Sequence, residues 1–215
     1  MKFKGVIFDL DGTLVNSIED LADSMNRVLL NHHFPTHSID AYKTFLGKGI
    51  LNLVHVSIPE TDQDEQTVNT CFTQMIDTYR NNCTIKTKPY DGIIDLLDEL
   101  KSRKIKLNVL SNKADKFTKE IVQKLLPDYF DIVTGLTTEE TKKPNPKIAL
   151  QMSTKMGINT ENILFIGDTG IDMQTSSNAN MHGVGVLWGF REKEELINSG
   201  AKSIISHPME LINLI

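Results

Sequence analysis

The chain is short of the residues that would open several functional routes. Only two cysteines occur in 215 residues, Cys71 and Cys83. They stand in no zinc-like spacing, so both are expected to be ordinary reduced thiols. No apolar run comes near the roughly 18 residues that would mark a membrane span. Lys2 and Lys4 imitate the start of a signal peptide, but Asp9 and Asp11 cut the apolar stretch short, and the chain is expected to stay in the cytoplasm. Basic residues are outnumbered, 23 Lys and Arg against 28 Asp and Glu, for a net charge of −5. That balance argues against a nucleic-acid surface and leaves room for a small anionic substrate held by local positive charge. The histidines lack telling partners: His32, His33 and His37 straddle Pro35, and His55, His182 and His207 stand apart from acids and thiols. There is no internal repeat and no low-complexity tract.

What remains describes a globular chain with a sizeable core, 40% hydrophobic and 24% charged, long enough for one domain with a modest insertion. The informative stretch is FKGVIFDLDGTL, Phe3–Leu14. Val6, Ile7 and Phe8 form the short apolar run of a strand buried on both faces. Asp9 ends it and Asp11 follows two positions on, which sends both carboxylates to one side if the chain stays extended. Gly12 permits a turn or a close approach.

From residue 16 to 84 the pattern is helical throughout. Ile18, Leu21, Ala22, Met25, Val28 and Leu29 repeat at helical spacing behind a weak Ser17/Asp20 capping signal. Val68, Cys71, Phe72, Met75, Ile76 and Tyr79 form a second stripe. Two shorter helices are expected between them, separated by the turn Gly47-Lys48-Gly49. Beyond Lys88, short apolar strands alternate with helices: KLNVL ending at Ser111-Asn112, Phe130–Val133, ILFI ending at Gly167-Asp168, GVGVL and SII. This rhythm predicts an α/β fold, a parallel sheet with helices on both faces, interrupted by an all-α insertion.

Parallel strands bring their carboxyl ends to one edge, so Asp9/Asp11, Ser111-Asn112, Lys143 and Asp168/Asp172 can converge. Carboxylates so crowded need a cation. An oxygen-only donor set suggests Mg²⁺, while Lys143 and the Ser111 hydroxyl supply what a phosphate needs.

The four motifs DLDGT (Asp9–Thr13), SN (Ser111–Asn112), the lysine of KPNP (Lys143) and GDTGID (Gly167–Asp172) resemble, in that order, those of the haloacid dehalogenase superfamily. VLSNKADKFTKEIV and VGVLWGFR are similar to its phosphoglycolate-phosphatase-like branch. The resemblance implies a Rossmann-like core, residues 1–15 and 85–215, and a helical cap, residues 16–84. It implies a Mg²⁺-dependent phosphatase for a small phosphorylated metabolite, with Asp9 as the nucleophile and Asp11 as the general acid and base. Asp9, Asp168 and the Asp11 carbonyl would hold Mg²⁺; Ser111, Asn112 and Lys143 would hold the phosphoryl oxygens. Asp172 would orient Lys143 or a metal-bound water, and Lys48 is the candidate for a cap residue that reaches the substrate. Asn16 departs from the aspartate often found there. Trp188, Phe190 and Arg191 follow a strand, where they could touch the cap or the site rim, but such aromatics are more often core and they are left outside the site. The alternative within the superfamily is a phosphoglucomutase-like isomerase; a dehalogenase or phosphonatase is disfavoured by Asp11. Nothing in the sequence decides between monomer and homodimer.

Overall fold

The computed structural model describes residues 2–215. The chain divides into two compact units, one running to Asn16 and resuming at Pro89–Ile215, the other formed by Ser17–Lys88.

The first unit begins with β1 (Gly5–Phe8) and leaves through the two-residue β2 (Val15–Asn16). Asn16, expected in the helical stretch, therefore ends a strand. The second unit holds α1 (Ile18–Asn31), α2 (Ile39–Phe45), α3 (Ile50–Ser57) and α4 (Glu65–Asn82). The α1 stripe read from the sequence is buried at every position. Its capping expectation fails, because the Ser17 side chain makes no cap bond. Asp20 instead accepts hydrogen bonds from the Lys86 and Thr87 amides at 2.8–3.0 Å and from the Thr87 hydroxyl at 2.6 Å. A buried carboxylate takes the partners that leave it fully bonded, and those lie at the far end of the unit, not one turn away.

The chain returns through β3 (Lys88–Pro89) and continues as α5 (Ile93–Ser102), β4 (Lys106–Ala114), α6 (Asp115–Leu125), β5 (Ile132–Leu136), α7 (Lys147–Met156), β6 (Ile163–Gly167), α8 (Gly170–Asn178), β7 (His182–Val186), α9 (Lys193–Asn198) and β8 (Ser203–Ile205). The closing helix expected from Pro208 is a 3₁₀ helix, Pro208–Leu214. The fifth strand starts two residues later than its apolar run, and the fourth runs on past Leu110.

Among the described residues, six strands form one parallel sheet in the order β5-β4-β1-β6-β7-β8. Successive residues of β1 and β6 are all buried, which requires cover on both faces and explains why these segments are apolar without alternation. On one face Ile7, Leu110, Ile163 and Phe165 meet Ala149 and Met152 of α7. The fold is α/β and Rossmann-like. The chain winds outward from β1 through β4 to β5, then jumps back to β6 on the other side of β1. That reversal places a crevice at the carboxyl ends of β1 and β6. No helix among the described residues is long and apolar enough to cross a membrane.

Candidate active site

The β1–β6 ladder carries one residue past β1, because the Asp9 amide donates to the Ile166 carbonyl at 2.9 Å. The backbone then folds on itself: the Leu14 and Val15 amides both donate to Leu10 O, and the Gly12 amide donates to Val15 O. Gly12 has a φ of +87°, and a Cβ there would run into the Asp168 carboxylate. Glycine is thus required twice, by backbone conformation and by space.

Asp9, Asp168 and Asp172 are buried and offer carboxylate oxygens within 4.8 Å of one another. Lys143 stands among them. Its Nζ donates to Asp9 Oδ1 at 2.8 Å and to Asp172 Oδ1 at 2.6 Å. The loop carrying Lys143 is fixed by the Asn112 side chain, which accepts from the Lys143 amide at 2.8 Å and donates to its carbonyl at 3.2 Å. Asp172 is held from its other oxygen, which accepts from the Thr169 amide at 3.1 Å, as in a capping box at the start of α8, and from Thr169 Oγ1 at 2.6 Å. Asp168 takes Thr13 Oγ1 at 3.1 Å on one oxygen and the Phe190 amide at 2.9 Å on the other.

Charge is out of balance here. Burial pushes Asp9 up to about 7, with Asp172 adding to the rise and Lys143 opposing it. Burial, then Asp172 and Asp9, lift Asp168 well above the usual carboxylate range. Burial alone would pull Lys143 down, but Asp172 and Asp9 outweigh it and raise it. Three desolvated carboxylates around one ammonium form an oxygen-only donor set that fits a hard divalent cation.

The sequence-derived residues fall as follows. Asp9, Asp168 and Asp172 come together, and Lys143 pairs with Asp9 and Asp172. Ser111 and Asn112 lie on the last, irregular part of β4, where its register with β5 shifts between Leu110 and Ala114. The Ser111 hydroxyl accepts from the Lys113 amide at 3.3 Å. The Asp11 side chain is not part of the carboxylate cluster; both its oxygens contact Lys113 Nζ at 3.0 Å. Lys48 belongs to the helical unit, exposed on the turn between α2 and α3.

Two features were not read from the sequence. Lys113 is one. The signal was the same period of two that paired Asp9 with Asp11, since Lys113 stands two residues past Ser111 on an extended strand. The other is the segment after β7. Trp188 and Phe190, read as core, instead brace the site: Trp188 Nε1 donates to Thr13 O at 2.9 Å, and the Phe190 amide binds Asp168. Backbone amides carry no sequence signature, so the second contact was invisible.

Gly189, between them, is pressed against the same carboxylate. A Cβ there would strike Asp168 Cβ and come within 2.5 Å of Gly12 O. Gly189→Ala is therefore expected to displace Asp168. Activity should fall on the order of 100-fold, with about 1–3 kcal/mol of stability lost to overpacking. Parallel kinetics and thermal melts check this; a variant within twofold of the parent in both would reject the close-packing argument.

Residues 6–186 match the sequence profile of the haloacid dehalogenase-like hydrolases. The chain belongs to that family. A phosphoglycolate phosphatase of Aquifex aeolicus is 30% identical over 211 residues, 97% of this chain and 95% of the relative. An N-acetylmuramic acid 6-phosphate phosphatase of Pseudomonas aeruginosa is 27% identical, covering 100% of this chain and 96% of the relative. A crystal structure from Lactobacillus delbrueckii subsp. bulgaricus, whose own assignment as a phosphoglycolate phosphatase is provisional, superposes with a TM-score of 0.93. It is 29% identical and covers 100% of this chain and 99% of that one. Within the haloacid dehalogenase-like hydrolases the chain is phosphoglycolate phosphatase-like, and the enzyme is a phosphatase.

Proposed function

We propose that this phosphatase is Mg²⁺-dependent and hydrolyses a small phosphorylated metabolite, phosphoglycolate foremost, through a phosphorylated Asp9. The observation that carries the reading is Lys143 bridging Asp9 and Asp172 beside Asp168 at the end of β1. One ammonium set against an anionic nucleophile marks where a phosphoryl group is received.

In the first half-reaction an Asp9 oxygen attacks phosphorus while the bond to the leaving oxygen breaks, and Asp11 gives that oxygen its proton. In the second, Asp11 takes a proton from the attacking water, the Asp9–phosphate bond breaks, and inorganic phosphate departs with Asp9 restored. Lys143, Ser111 and the Asn112 main-chain amide hold the phosphoryl oxygens as charge spreads over them. Asp9, Asp168 and the Asp11 carbonyl are the proposed Mg²⁺ ligands, with Asp172 orienting Lys143. The ion would supply charge neutralisation between nucleophile and substrate. The helical unit, Ser17–Lys88, is the proposed cap, with Lys48 its proposed substrate contact, and the proposed site of action is the cytoplasm. Relatives of comparable identity are named for phosphoglycolate and for N-acetylmuramic acid 6-phosphate, so both compounds belong in the test.

The purified protein, incubated with Mg²⁺ and a panel of phosphomonoesters including hexose phosphates, is expected to release inorganic phosphate steadily. Exhaustive chelation should remove at least about 100-fold of the activity, and Mg²⁺ should restore it. Full activity in chelator would reject the metal role. Interconversion of hexose phosphates with little phosphate released would replace the hydrolase by a mutase.

A further inference from the structure

Two buried lysines serve this edge of the sheet, and the mechanism above uses only one. The Lys113 side chain is 1% exposed, while that of its partner Asp11 is 18% exposed. Its ammonium meets both Asp11 oxygens at 3.0 Å. Its main chain is fixed as well: the amide donates to Ser111 Oγ at 3.3 Å, and the carbonyl accepts from Thr118 Oγ1 at 3.1 Å. Burying a lysine costs side-chain entropy and the hydration of its charge. That outlay on a pairing with a rim carboxylate makes sense where the position of the carboxylate matters.

The position of Asp11 does matter. It sits in a tight loop beside Gly12, whose φ is +87°. Proton transfer requires a carboxylate oxygen within hydrogen-bond reach, about 2.6–3.2 Å, of the leaving oxygen. A carboxylate has four lone-pair directions. An ammonium 3.0 Å from both oxygens fixes where the carboxylate group sits and points, and leaves one remaining lone pair of each oxygen facing away from the lysine.

We propose that Lys113 is a positioning residue for the hydrolase: it holds the Asp11 carboxylate by both oxygens in the orientation from which the leaving group receives its proton. The proposal rests on the acid–base role given above to Asp11. Lys143 and Lys113 then divide the work, one set against the nucleophile and the other behind the proton donor.

The test uses leaving groups. The ratio kcat/KM reports events up to departure of the leaving group, and 4-nitrophenolate departs with little need of a proton, whereas phenolate depends on one. Lys113→Met is expected to lower kcat/KM for phenyl phosphate at least about tenfold more than for 4-nitrophenyl phosphate. A lysine that merely supported the fold would lower both by one factor, and that result overturns the proposal. Adding Lys113→Met to Asp11→Asn should cause no further loss, because the group being aimed is already disabled; losses that multiply overturn the proposal too. Should the Met variant fail to fold, Lys113→Arg is compared with Lys113→Gln. The arginine retains a bidentate cation and is expected to keep the parent's leaving-group dependence, which the glutamine loses; equal behaviour of the two counts against the proposal. Asp11→Asn alone separates the levels. If it leaves the leaving-group dependence unchanged, the acid–base reading has failed; if it steepens that dependence while Lys113→Met does not, only the lysine has been misassigned.

Discussion

Asp9→Asn is expected to remove turnover, with kcat falling on the order of 10³- to 10⁶-fold, the range seen when a covalent nucleophile is deleted. The amide is nearly the shape of the carboxylate but lacks its charge, its nucleophilicity and much of its affinity for a hard cation. The fold should survive, and the reason is the charge imbalance. Asp9 holds its proton up to about 7 in the folded chain and loses it near the ordinary 3.8 when unfolded. The unfolded state therefore gives up this proton first, and ionisation of Asp9 draws stability from the metal-free protein as pH rises from 3.8 to about 7. Asparagine removes that drain. At pH 8 in chelator the variant should melt no lower than the parent, while its activity is gone. Residual activity within tenfold of the parent would remove Asp9 from the nucleophile's role; a collapse of the melt would show that its carboxylate holds the structure together.

Lys143→Met should have the opposite profile in chelator. The lysine is the cation shared by Asp9 and Asp172, with 3% of its side chain exposed. Its removal leaves like charges facing one another without a counter-charge. Breaking a buried pair from one side costs about 3–5 kcal/mol, much more than the pair itself contributes. Added Mg²⁺ should restore part of the loss, since a divalent ion can neutralise the same carboxylates. Catalysis should not recover with it. The phosphoryl oxygens would have lost a charge-assisted donor, which is expected to cost about 10²–10³-fold in kcat. Calorimetry with and without Mg²⁺, alongside kinetics, checks both halves. A metal-free variant as stable as the parent would mean that the carboxylates are compensated from elsewhere.

The sequence made the scaffold legible where burial forces composition. β1 and β6 had to be apolar at every position because both faces are covered, and α1 had to repeat at helical spacing because one side faces its unit's core. Four of the site's charged groups, Asp9, Lys143, Asp168 and Asp172, were legible because their motifs follow one another in a recognisable order, with Asp9 and Asp168 directly at strand ends. The rest was hidden for specific reasons. Asp20 looked like a local cap, yet it bonds Lys86 and Thr87, and no pattern announces so distant a partner. Phe190 contributes an amide that any residue but proline would supply. Gly189 is glycine because of what crowds it, and the crowding residues lie far away in the chain. Lys113 was within reach of period-two reasoning, but a lysine following SN reads as one more surface charge.

The place of β1 in the sheet has a consequence for synthesis. Gly5–Phe8 is made before either of its ladder partners, which begin at Lys106 on one side and Ile163 on the other. As the chain emerges from a ribosome, the segment destined for the centre of the sheet waits, apolar and unpaired, until β4 has followed, and it gains its second neighbour only with β6. During that interval Ser17–Lys88 is complete and has its own set of internal packing contacts. Helices that meet near neighbours close small loops and form early, whereas strands that must find distant partners form late. The nascent protein thus carries Asp9 at the end of an unpaired strand, and Asp9 gains its pairing with Lys143 only after residue 143 has left the tunnel.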